Sequence, residues 1–170
     1  MITNLHGWGV SQRMATERFD RAKMSLNNNS YYMPVVGFSW DSNTRAQPDH
    51  AGWTVANLIA KENDPKLANF FFDFMNKCAN STSHSKVRII AHSLGSRFAL
   101  SALDSLHNNK DWTNKNFKVY SVHLLGAAVD EVVKFYNLFN AKDKVLSGIY
   151  SSVEHDNALG LKGKQIGWRW

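Results

Sequence analysis

Chemistry in this chain can be built around Ser93. It lies in VRIIAHSLGSRFALSAL, Val87 to Leu103, where an apolar run ends at a serine and a helical pattern starts at once. The centre of the stretch, Ala91-His92-Ser93-Leu94-Gly95, is a small-x-Ser-x-Gly turn, with Ala where the motif usually carries Gly. Such a turn offers nucleophilic acyl transfer. A strained strand-to-helix bend lifts the hydroxyl clear of a sheet. The residues two before and two after lie so close that bulky side chains would clash. The following helix aims its N-terminus at the reacting group, where backbone N–H groups stabilise developing negative charge. The plainer reading is that Ser93 only caps the helix from Leu94.

A second stretch fits the chemical reading. Leu5 to Gly9, LHGWG, follows the first strand-like segment. A His-Gly-x-Gly loop in that place supplies a backbone N–H for an oxyanion hole, and glycine lets the backbone come close to a substrate. The expected donors are the amides of Trp8 and Leu94, with the Trp8 indole available to wall an acyl site. Glycine-rich turns after strands are ordinary. The pairing of HGWG with AHSLG, in that order on neighbouring strands, carries the signal.

These groups need strands to hold them and helices to cover the strands. MITNLH, YYMPVVGFSW, KVRIIAH, FKVYSVHLLGAA and FYNLFNA read as strands. Ser11 to Leu26 places Met14, Ala15, Phe19, Ala22 and Leu26 on one helical face, with Ser11 as N-cap. HAGWTVANLIAKEN and PKLANFFFDFMNKCAN read as two helices, or as one kinked at Pro65. Trp53, Phe70, Phe71 and Phe72 fall at helical spacing and are expected to pack a helix on the sheet rather than form a lid. A helix follows Ser93, VDEVVKF predicts a helical turn, and KDKVLSGIYSSV predicts a further helix. Alternation of this kind predicts an α/β fold: a three-layer sandwich around a mostly parallel sheet of about five strands. In such sheets the functional groups collect at the carboxyl ends of the strands.

Composition sets outer bounds. At 170 residues and 44% apolar, the chain suits one core and one domain over residues 1–170. The net charge of +6 is spread along the sequence rather than gathered into basic runs, so no nucleic-acid partner is expected. The one cysteine, Cys78, excludes an internal disulfide and is expected half-buried and inert on a helix. There is no signal-peptide pattern at the start and no stretch of membrane-spanning length, so a cytoplasmic location is expected. No HExxH, Cys/His cluster or phosphate-cradling glycine loop occurs, and neither metal nor cofactor is expected.

With HGWG, AHSLG and the downstream Asp-bearing segment, the sequence resembles the α/β-hydrolase superfamily over nearly its whole length. In size and in its AHS-x-G turn it is similar to small, lidless bacterial lipases. GFSWDSNT and VHLLGAAVD also resemble stretches of α/β hydrolases of undefined substrate. The resemblance implies serine-dependent ester hydrolysis through a triad in the chain order Ser, Asp or Glu, His. The acid then falls on Asp143, after the last strand, with Asp130 as the alternative position. For Asp143 the non-catalytic reading is a favourable charge at a helix N-terminus. His155 is the one histidine after Asp143 and takes the role of base. Among the other histidines, His6 is expected to pack at the oxyanion turn and His92 to point away from the serine. His123 is expected to be a satisfied core residue, and His50, His84 and His107 to lie in loops or at helix ends. The implied substrates are carboxylic esters of small molecules, lipids or polyesters, with lactones open to the same chemistry. The alternative is a non-catalytic or truncated α/β-hydrolase-like binding protein. In the truncated case, exposed edge strands favour a homodimer.

Overall fold

The computed structural model describes residues 1–44, 49–79, 85–129 and 136–138. Five strands form one sheet in the order β2-β1-β3-β4-β5. They are β1 (Ile2–Leu5), β2 (Val35–Phe38), β3 (Val87–His92), β4 (Val119–Leu125) and β5 (Tyr136–Leu138). All four pairings are parallel. Each strand expected from the sequence is present. Four helices connect β1 to β4 in sequence: α1 (Gln12–Asn28), α2 (Asp49–Glu62), α3 (Asp64–Ala79) and α4 (Leu94–His107). A fifth, α5 (Lys110–Asn114), caps itself with the Asn109 side chain. It is too short to show periodicity in the sequence.

Side-chain alternation along β2 shows that helices cover both faces of the sheet. Gly37 faces α1, and a Cβ there would fall within 2.0 Å of the Phe19 ring. The next residue, Phe38, points the opposite way and meets Phe70 of α3 and Phe98 of α4. The glycine therefore lets an aromatic ring of α1 lie directly on the sheet backbone. The main core lies on the second face, where Trp53, Leu67, Phe71, Ile89, Phe98 and Leu124 are fully buried. Trp53 and Phe71 belong to the core, and Phe70 and Phe72 pack partly buried against it.

Ser11 caps α1, its hydroxyl accepting from the Met14 amide at 3.4 Å. The segment around Pro65 forms two helices, separated at Asn63. Asp64 opens α3 in a buried position, and its carboxylate accepts the hydroxyls of Ser101 and Ser105 at 2.9 and 2.8 Å. That fastens α3 to α4, the helix behind Ser93. Cys78 lies half-buried on α3. His123 departs from expectation. It sits in β4 but is exposed, bonded to Ser121 Oγ at 3.1 Å rather than enclosed in the core. The helical turn expected over VDEVVKF and the helix over KDKVLSGIYSSV lie outside the described residues. No described helix is long and apolar enough to cross a membrane.

Candidate active site

Ser93 occupies the turn between β3 and α4 with φ 52° and ψ −125°. A side chain on such backbone is strained by about 1–3 kcal/mol. Helix caps take extended backbone and accept from the next turn, as Ser11 does. Ser93 does neither, because its side chain makes no capping bond. The capping reading fails on both counts. The turn is held from outside instead. The Ser93 amide donates to the Leu125 carbonyl of β4 at 2.9 Å, and the Ala128 amide donates to the Ser93 carbonyl at 3.2 Å. Behind it, Ser96 Oγ donates to the Ala91 carbonyl at 3.3 Å. Ser93 is half-buried.

The small residues of the motif answer to named atoms. A Cβ on Gly95 would sit 2.4 Å from the His6 carbonyl oxygen, so α4 begins against the backbone that leaves β1. Ala91 is fully buried in β3. On the other side, a Cβ on Gly7 would lie 2.8 Å from the Ser93 Cβ and 3.1 Å from the His92 carbonyl. The cause is topological. β1 and β3 are adjacent and parallel, with Leu5 level with Ala91, so both chains leave the sheet at the same height. The loop HGWG and the turn AHSLG thus meet at Gly7 and Ser93. Leu94 opens α4, and its amide is one of the first-turn N–H groups that an α-helix leaves without an intrahelical acceptor.

His6 is buried and holds this loop to the one after β2. Its Nε2 accepts from the Trp40 backbone N–H at 3.3 Å and from the Ser39 hydroxyl at 3.2 Å. A backbone N–H can only donate, so Nε2 carries no proton and Nδ1 does. Nδ1–H donates to the Gly7 carbonyl at 3.0 Å. The ring stacks on the Trp40 indole, with centroids 5.7 Å apart and planes at 4°. Burial lowers the His6 pKa, with Arg18 and His92 adding to that effect and the Gly7 carbonyl opposing it. The loops are joined again by the Gly9 amide donating to the Ser42 carbonyl at 2.8 Å. Trp8 turns its indole inward, edge-on to Trp53, and its Nε1–H donates to Thr44 Oγ1 at 2.7 Å. The side chain thereby anchors the loop. Beside the paired loops opens a groove of about 490 Å3, whose lining includes Gln12, Ser39, Asp41 and Asn43.

The structure thus brings together Ser93, Leu94 and the Gly7–Trp8 segment. His92 is exposed at the end of β3, directly before the serine. Asp143, Asp130, His155 and His84 lie outside the described residues. Among the described residues, no group of three His, Cys, Asp or Glu side chains could hold a metal ion. The residues not foreseen as a unit are Ser39, Trp40 and Ser42, which grip His6. Their partners lie more than thirty positions away, and no local pattern signals such a contact.

A parallel sheet with a strained serine between strand and helix, faced by a glycine loop from the neighbouring strand, is the arrangement of an α/β hydrolase. The family model described as "Alpha/beta hydrolase of unknown function (DUF900)" matches residues 1–165, and the chain belongs to that family. Among solved structures, "A novel cutinase-like protein from Cryptococcus sp." is similar, with a TM-score of 0.50 and 15% identity over 94% of this chain and 70% of that one. At that identity the likeness is one of fold. No curated protein matches the chain.

Proposed function

We propose that the protein is a carboxylic ester hydrolase working through Ser93. The observation that carries this reading is the backbone of Ser93, kept at positive φ with no capping bond while Gly7 lies against its Cβ. Strain of this kind persists only where the surroundings enforce it, and it clusters at reacting groups. In the reading, His155 takes the proton from Ser93 Oγ as the oxygen attacks an ester carbonyl. Asp143 orients the imidazole and stabilises its charged form. The amides of Trp8 and Leu94 receive the oxyanion. Collapse of the tetrahedral species expels the alcohol, which takes its proton from His155. Water then repeats the sequence on the acyl-enzyme and releases the acid. Each oxyanion donor contributes about 3 kcal/mol to lowering the barrier. The substrate class is an ester of a small molecule, a lipid or a polyester. The similarity in fold to a cutinase-like protein agrees with an ester substrate.

The triad is tested by hydrolysis of an activated short-chain ester. Ser93→Ala and His155→Ala should each lower kcat by about 10³-fold or more. Asp143→Asn should lower it strongly and Asp130→Asn little. Wild-type turnover in Ser93→Ala would remove the basis of the reading. Wild-type turnover in His155→Ala would leave the serine without its assigned base.

A further inference from the structure

We propose that His6 is the positioning residue of the oxyanion loop, its Nδ1–H fixing the orientation of the Gly7–Trp8 peptide. The inference rests on the reading of Trp8 as an oxyanion donor. Its core is a property of one peptide group. The carbonyl that accepts from His6 Nδ1 belongs to Gly7, and the N–H of that same planar unit belongs to Trp8. In a trans peptide the two bonds point in opposite directions, and the chain contains no cis peptide bond among the described residues. Holding the carbonyl toward the imidazole therefore turns the Trp8 N–H away from it. The peptide so held is the one that follows Gly7, whose Cα packs against Ser93.

Glycine at position 7 makes this constraint necessary. A peptide next to glycine can rotate at little steric cost, and a rotated peptide would present an oxygen where the hole needs a donor. The imidazole is itself held. Nε2 accepts from Trp40 and Ser39, the ring stacks on Trp40, and Phe19 of α1 lies 6.0 Å away on its tilted side. The charged or titratable groups that act on it are Arg18 of α1 and His92 of β3, and both disfavour a proton on Nε2. The ring that positions the peptide is thus kept as a neutral group with one donor and one acceptor.

The test compares His6→Phe with His6→Asn. Phenylalanine keeps a ring but has no donor, whereas asparagine carries an amide N–H on the same γ-carbon and can bond the Gly7 carbonyl. His6→Phe should lower kcat about 10²-fold, the size of losing one oxyanion donor, with KM little changed. The Trp8 amide 1H–15N resonance should shift as well. His6→Asn should keep kcat within about tenfold of wild type and leave that resonance near its place. A folded His6→Phe with wild-type kcat and an unmoved Trp8 resonance overturns the proposal. If His6→Phe fails to fold by circular dichroism, His6→Asn decides. Retained kcat supports the proposal, and a folded variant with kcat reduced about 10²-fold overturns it. A wild-type chain that hydrolyses no ester sinks the hydrolase reading instead. The Trp8 resonance in the two variants then still decides whether His6 orients the peptide.

Discussion

Gly7 and Ser93 touch backbone to side chain: a Cβ on the first would stand 2.8 Å from the Cβ of the second. That contact joins two loops more than eighty residues apart in sequence, and it exists because β1 and β3 are parallel neighbours ending level with each other. The matching contact on the far side is between Gly95 and the His6 carbonyl, at 2.4 Å for an added Cβ. Since the obstacle there is backbone, a methyl group at Gly95 must push α4 away from the loop.

Gly95→Ala should therefore cost about 1–3 kcal/mol of stability, the usual penalty for overpacking a tight site. The measurement is the urea midpoint, with ester turnover falling in the same variant as α4 shifts. A midpoint equal to wild type would mean that helix and loop separate freely, and that the motif's second small residue has another cause.

Ser93 predicts the opposite sign. Its φ of 52° suits glycine, which has no Cβ to strain. Ser93→Gly should raise stability by about 1 kcal/mol while abolishing turnover. A stability loss in this variant would show that the serine side chain contributes packing or bonding that outweighs the strain.

The pH dependence of folding follows from His6. Burial, the largest cause, lowers its pKa in the folded chain, whereas a histidine in the unfolded chain titrates near ~6.5. Above that value both states are neutral at this position and the contribution to stability is complete. As pH falls below it, the unfolded chain binds the proton first, so stability declines until the folded imidazole is protonated as well. Urea midpoints should fall as pH drops below about 6.5, and His6→Asn should flatten the decline. His123, exposed at its edge but partly desolvated by its neighbours and lowered further by Arg88, acts weakly in the same direction and stays in the variant. An unchanged slope in His6→Asn would contradict a buried neutral imidazole.

The strands and long helices were legible in the sequence because their signals are local. Ser11 before an amphipathic run, β-branched residues in KVRIIAH and Pro65 in the first turn of α3, just after the break at Asn63, each act within a few residues. Ser93 and the HGWG loop were legible for a related reason, since their small residues record a steric requirement of the turn itself. The burial state of His123 was not legible. Residence in a strand sets which face a side chain takes, but not whether an element covers that face. The grip of Ser39, Trp40 and Ser42 on His6 was hidden too, because it depends on the pairing of β1 with β2. α5 leaves no readable signal because five residues carry too little periodicity to separate a helix from a turn.

An activated Ser93 should react with a fluorophosphonate probe, which labels nucleophilic serines covalently. The native chain should take up one phosphonyl group, located on Ser93 by mass spectrometry of its peptides, and Ser93→Ala should take up none. A folded chain that stays unmodified, or that carries the label on another residue, would show that Ser93 is not an activated nucleophile.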